Sequence, residues 1–112
     1  MQQINPSDMA PTGGHYSHAV VAGGFVFISG QLPITLSGDR LNQASFEEQV
    51  RQTLSNVKKA LEAAGSSITQ LVQVRVYITD ISNWPSFNQI YQEWAGQSLP
   101  ARAVVPVPEL HY

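Results

Sequence analysis

The chain has 112 residues, 43% of them hydrophobic, no cysteine and a net charge of −2, which suits a single domain spanning 1–112 and excludes disulfides, thiolate metal sites and thiol nucleophiles. Its six lysines and arginines are scattered along the sequence, which argues against nucleic-acid and anionic-membrane partners, because a phosphate backbone demands a dense basic surface. No stretch approaches the roughly 18 apolar residues of a membrane span, and the polar start lacks a secretory pattern, so a cytoplasmic protein is the expectation.

Residues 1–14 read as an extended arm ending at Gly13-Gly14. Two short β-rich runs, Ala19-Val20-Val21-Ala22 and Phe25-Val26-Phe27-Ile28, flank Gly23-Gly24 and predict a hairpin. Gln31 to Asn42 carries Pro33, Gly38 and Asp39, which is loop chemistry. Ser45 and Glu48 then form a capping-box pattern. Phe46, Val50, Leu54, Val57 and Leu61 follow at intervals of three or four, giving one apolar helical stripe. Lys58 and Lys59 fall late in this helix and Gly65 is a natural stop.

Val72, Val74, Val76 and Ile78 alternate with Gln73, Arg75, Tyr77 and Thr79, the period of a strand with one buried face. Asn83 can cap a second helix, with Pro85 in its first turn, Phe87, Ile90, Tyr91 and Trp94 as its apolar stripe, and Gly96 near its end. Ala101 to Val107 reads as a last strand. The order is strand, strand, helix, strand, helix, strand. It predicts an α+β domain with both helices packed on one side of a mixed sheet, and an apolar opposite face that self-association would bury.

Neither a dinucleotide-binding glycine pattern, nor a phosphate-loop lysine motif, nor a Gly-x-Ser-x-Gly elbow is present. His15 and His18 sit near a predicted strand start, where they read as partly exposed histidines rather than metal ligands. Arg102 stands out. It is an isolated cation among small and apolar neighbours, Pro-Ala-Arg-Ala-Val-Val, and its planar fork suits a carboxylate. That carboxylate is either an acidic side chain such as Glu109 or one brought by a ligand or partner.

Several segments resemble the reactive-intermediate deaminase (Rid, YjgF-like) family. Gly14-His15-Tyr16-Ser17-His18-Ala19 is similar to its Gly-Pro-Tyr-Ser-Gln-Ala segment, and Ser29-Gly30-Gln31-Leu32-Pro33 to its Ser-Gly-Gln-Ile-Pro segment. Gln52-Thr53-Leu54-Ser55-Asn56-Val57, Val76-Tyr77-Ile78-Thr79-Asp80, Phe87-Asn88 with Tyr91, and Pro100-Ala101-Arg102 follow in the family's order. The resemblance implies a chorismate-mutase-like fold, a homotrimer with clefts between subunits, and hydrolysis of 2-imino acids to 2-keto acids and ammonia without cofactor or metal. By position it implies that Arg102 clamps the substrate carboxylate, that Tyr16, Ser29 and Asn88 line the cleft, and that the backbone at Gly30 shapes its floor. For Tyr16 the other reading is packing at a subunit seam; for Ser29 and Asn88 it is a turn or cap.

Three departures from the family pattern bear on this. Val104 stands where a cysteine is frequent, making that side of the pocket more apolar, and His15 replaces a usual proline, placing an imidazole beside Tyr16. Family members also continue into a last strand carrying a glutamate that orients the attacking water. The sequence stops at His111-Tyr112, and Glu109 falls too early to be that residue. The expectations are therefore an imine deaminase, a non-catalytic trimer that captures a small keto acid, or a hydrolase of another enamine or carbonyl metabolite.

Overall fold

The computed structural model describes residues 1–112. Its elements run β1 (Gln2–Ile4), β2 (Ala19–Ala22), β3 (Phe25–Ile28), α1 (Phe46–Ala63), β4 (Gln73–Ile78), α2 (Trp84–Ala95) and β5 (Ala101–Pro106). Both helices pack on a mixed α+β sheet, as the order of elements predicts.

The hairpin forms where Gly23 and Gly24 place it. Both glycines have positive φ, 59° and 80°, which a two-residue turn between right-twisted strands requires. The register pairs Val20 with Phe27 and Ala22 with Phe25. The arm before it is not wholly irregular: Gln2–Ile4 add a third antiparallel strand, with Gln3 opposite Val20. Nothing in Gln2–Ile4 announces a strand, because of the three only Ile4 is apolar and it is no more than half-buried.

Helix α1 begins at Ser45, whose Oγ accepts from the Glu48 N–H at 3.1 Å. The return bond from the Glu48 side chain is not made, so one half of the capping box forms. The helix continues to Ala63, so Lys58 and Lys59 lie before its last turn, outside the reach of its negative end. Gly65, at φ 83°, lets the chain turn away. Val50, Leu54 and Leu61 of the stripe are buried, Phe46 and Val57 are half-buried, and Ala60, outside the stripe, is buried as well. Asn56 is also buried, and its Nδ2 donates to the carbonyls of Leu32 (3.1 Å) and Ile34 (2.9 Å). A single polar side chain thus ties the loop after β3 to the helix.

Strand β4 is shorter than the alternation suggests. Val72 lies outside it and is 68% exposed, while Val74 and Val76 pack on the core and Ile78 is buried. Beyond β4, Asp80 rather than Asn83 does the capping. Its carboxylate accepts from Ser82 N–H (2.9 Å) and Oγ (2.7 Å) and starts a short 3₁₀ turn, Ile81–Asn83, that runs into α2. Asn83 is already in the helical region and makes no side-chain cap. After α2, Gly96 at φ 60° ends the helix and β5 returns parallel to β4, with Arg102 beside Val74 and Val104 beside Val76. A parallel pair needs such a helical crossover.

The core lies between the helices and β4. Val50 and Leu54 of α1 meet Phe87, Ile90, Tyr91 and Ala95 of α2, and Phe46, Val74, Val76, Trp84 and Trp94 close around them. The sheet is interrupted: β3 pairs only with β2, and β4 only with β5. A cavity of about 130 Å³ is lined by Gln31 to Pro33 after β3, by Val76 to Thr79, and by the apolar face of α1. Leu110 and Tyr112 also line it, and Arg40 lies over the Tyr112 ring at 3.8 Å.

Candidate functional site

Strand alternation decides where Arg102 points. Along β5, Arg102 and Val104 are half-buried whereas Ala101 and Ala103 are exposed, so the arginine faces α2 together with Val104. Its guanidinium carbon sits 4.8 Å from the Trp84 ring centre and 4.7 Å from that of Tyr91. Both distances are within the reach of a cation–π attraction. No carboxylate pairs with it. The ion pairs of the chain belong to Arg51, with Glu47 at 3.0 Å and Glu93 at 3.4 Å, and Glu109 is exposed and unpaired. Of the two origins open to the Arg102 counter-anion, an acidic side chain of the same chain is removed.

Helix spacing puts Asn88 in the same place. Trp84, Asn88 and Tyr91 are four and then three residues apart, which is one face of α2. Asn88 is half-buried there. Close by, two buried donors have no partner: the Tyr91 hydroxyl and the Trp94 indole N–H. Burial raises the Tyr91 pKa from its ordinary 10.0, and the positive charge of Arg102 partly opposes that shift. The hydroxyl therefore stays protonated at neutral pH. This face joins a half-buried cation without an anion to aromatic surface and neutral donors.

Tyr16 and Gly30 come together elsewhere. They line a cavity of about 40 Å³ with Met9, His18 and Asn56. Gly14 seats the tyrosine: a Cβ on it would lie 3.2 Å from Tyr16 Cε1, so a side chain there would push the ring away. A Cβ at Gly30 would meet nothing within 4 Å, which leaves an open floor beside the ring. Tyr16 is half exposed. Ser29 adjoins this cavity without lining it, and its Oγ donates to the Ser17 carbonyl at 2.6 Å, holding the strand entry.

His18 differs from the sequence expectation of a partly exposed side chain. It is buried at 8% exposure, with Nε2 2.8 Å from the Ala10 carbonyl and Nδ1 3.3 Å from Gln31 Nε2. The first contact requires the proton on Nε2, which leaves Nδ1 to accept from Gln31. His15 remains exposed. Neither histidine belongs to a group of three His, Cys, Asp or Glu side chains able to hold a metal.

Within one chain, then, the residues fall into two groups, Tyr16 with Gly30 and Arg102 with Asn88 and Val104. Arg102 lines neither of the two cavities described. Sequence reasoning missed Trp84, and took Tyr91 only as core. A Trp and a Tyr seven apart on one helix face, followed by a strand with a lone arginine, was the signal available.

Fold and site together define a small α+β protein with a half-buried cation, unpaired by any carboxylate of its chain, on an aromatic seat. The endoribonuclease L-PSP family model matches residues 7–112, and the chain belongs to this family, which comprises the YjgF, RutC and Rid proteins and includes enzymes. A RutC family protein of Pyrococcus horikoshii is 39% identical over 111 residues, covering 98% of this chain and 88% of its own. The crystal structure of RidA from an Antarctic Psychrobacter superposes with a TM-score of 0.92 at 33% identity, covering 99% of this chain and 89% of its own. That of Escherichia coli TdcF with bound serine gives 0.91 at 30%, with the same coverage of 99% and 89%.

Proposed function

We propose that the protein hydrolyses reactive 2-imino acids to 2-keto acids and ammonia, as a cytoplasmic homotrimer with Arg102 binding the substrate carboxylate. The observation that carries this reading is the half-buried Arg102 guanidinium with no carboxylate in its own chain. Such a group is costly to hold unless an anion completes it. The relative with bound serine supports the class of ligand, since serine is a small amino acid carrying one carboxylate. The net charge of −2 gives no support to RNA as substrate, despite the endoribonuclease description of the family model.

The chemistry asks little of the protein. The iminium carbon C2 is already electrophilic; water adds to it, the resulting carbinolamine loses its C–N bond, and ammonium leaves with a 2-keto acid. Water contributes the oxygen and two hydrogens, so atoms and charge balance. Arg102 fixes the carboxylate by a bidentate contact, and orientation supplies the rate. The Tyr16 hydroxyl positions water or the imine nitrogen, Ser29 and Asn88 add polar contacts, and Gly30 and Val104 shape the walls.

One chain separates Tyr16 from Arg102, so a complete cleft requires a neighbouring copy. Phe25 and Phe27 of β3 are each 60% exposed and Tyr77 of β4 is 48% exposed, apolar surface that a partner subunit would cover. The second reading is a trimer that captures keto or amino acids without turnover. It is favoured by the serine bound in the Escherichia coli TdcF structure, a small carboxylate with no imine to hydrolyse.

The test generates the imine in place with a threonine or serine dehydratase and follows keto-acid formation. Acceleration by the native protein and not by Arg102→Ala is the expected result. No acceleration, with keto-acid binding intact, would leave the capture module as the function.

A further inference from the structure

We propose that Trp84, together with the Tyr91 ring, is a positioning residue for carboxylate recognition, holding the Arg102 guanidinium by ring faces so that its N–H groups stay available to the ligand. This rests on the reading of Arg102 as the carboxylate-binding group and assigns how the chain prepares it.

The two arginines near α2 show the alternative. Arg51 is held by carboxylates, Glu47 and Glu93, which use its N–H groups. Arg102 is held by Trp84 at 4.8 Å and Tyr91 at 4.7 Å. An aromatic face attracts the charge of a cation through its quadrupole without occupying the in-plane sites where a carboxylate docks. A carboxylate in the same place would neutralise the arginine and compete with the ligand. The seat is also rigid. Tyr91 is backed by Phe87 and Trp94 at ring separations of 5.7 and 5.8 Å, and Trp84 packs against the buried cluster between the helices. A long side chain that would otherwise sample many rotamers is thus ordered before the ligand arrives, which lowers the entropic loss on binding.

The experiment measures keto-acid binding and imine hydrolysis for the native protein, Trp84→Leu, Trp84→Phe and Arg102→Ala. Thermal unfolding and native mass confirm that each variant is folded and assembled as the native protein is. Removing one ring face from a partly desolvated cation corresponds to about a 3- to 30-fold loss of affinity. Trp84→Leu is expected to raise the pyruvate Kd and the imine KM by that factor, with a smaller effect on kcat. Trp84→Phe, which restores a face, is expected to recover most of the loss. In a Trp94→Phe background Trp84 is the remaining indole, and its emission is expected to change on pyruvate binding and to stay constant in the same background with Arg102→Ala.

If Trp84→Leu is folded and binds pyruvate as the native protein does while Arg102→Ala does not, the seat is structural and this inference fails, with the Arg102 reading intact. If Trp84→Leu weakens binding and Trp84→Phe does not recover it, the ring-face role fails likewise. If Arg102→Ala binds pyruvate as tightly as the native protein, the functional reading fails and takes this inference with it.

Discussion

Around β2, β3 and the loop that follows, buried polar side chains find their partners inside the chain. His18 bridges Ala10 and Gln31, and Asn56 holds the carbonyls of Leu32 and Ile34. Along the face between α2 and β5 the opposite holds: Arg102 has no carboxylate, and the Tyr91 hydroxyl and Trp94 N–H have no acceptor. A satisfied polar group is part of the architecture, whereas on the proposed function the unpaired Arg102 is the group that the substrate carboxylate completes.

The contrast predicts opposite phenotypes. The largest effect belongs to Arg102→Ala, which should lower kcat/KM for imine hydrolysis by roughly 100-fold or more, the consequence of losing a charge-assisted bidentate contact. Its unfolding midpoint should move little, because no acid is orphaned. Asn56→Leu should do its damage in stability, about 2–3 kcal/mol in denaturant unfolding, since two carbonyls of the loop after β3 lose their donor. A variant of Arg102 that unfolds the protein while an Asn56 variant is neutral would break the comparison.

Smaller effects sharpen it. Tyr91→Phe removes a buried hydroxyl that has no partner and should be neutral or stabilising by up to about 1 kcal/mol at pH 7. The pH dependence has a definite sign. Burial raises the folded Tyr91 pKa above 10.0, so its contribution is fully present below the unfolded value and is lost as pH rises through the folded one. Thermal scans above pH 10 should show the native protein losing stability faster than Tyr91→Phe. The smallest effect is at Asp80, whose carboxyl is held below its ordinary 3.8 by hydrogen bonds from Ser82. Its contribution is present above that value and is lost as pH falls through the lowered pKa, a loss that Asp80→Ala should abolish in acid unfolding curves.

Much of the fold is legible because its signals are local. Gly23-Gly24 fixes the hairpin, the stripe from Phe46 to Leu61 fixes α1, and the alternation from Val74 to Ile78 fixes β4. What stays hidden is set by distant partners. Gln2–Ile4 become a strand only because β2 offers an edge, and Asp80 outcompetes Asn83 as a cap because the chain enters α2 through a 3₁₀ turn. The same division applies to the site. Arg102 is conspicuous in sequence as a lone cation among apolar residues, but the lack of an internal carboxylate and the presence of Trp84 and Tyr91 beside it emerge only when α2 and β5 are packed together. The separation of Tyr16 from Arg102 is likewise a property of the folded chain.

The most direct test of the account compares pyruvate with pyruvamide, its neutral isostere, by calorimetric titration of the native protein. A preference for pyruvate that vanishes in Arg102→Ala is the predicted result. Equal binding of the two ligands, or an undiminished preference without Arg102, would contradict the claim that this β5 cation is set against α2 to receive a carboxylate.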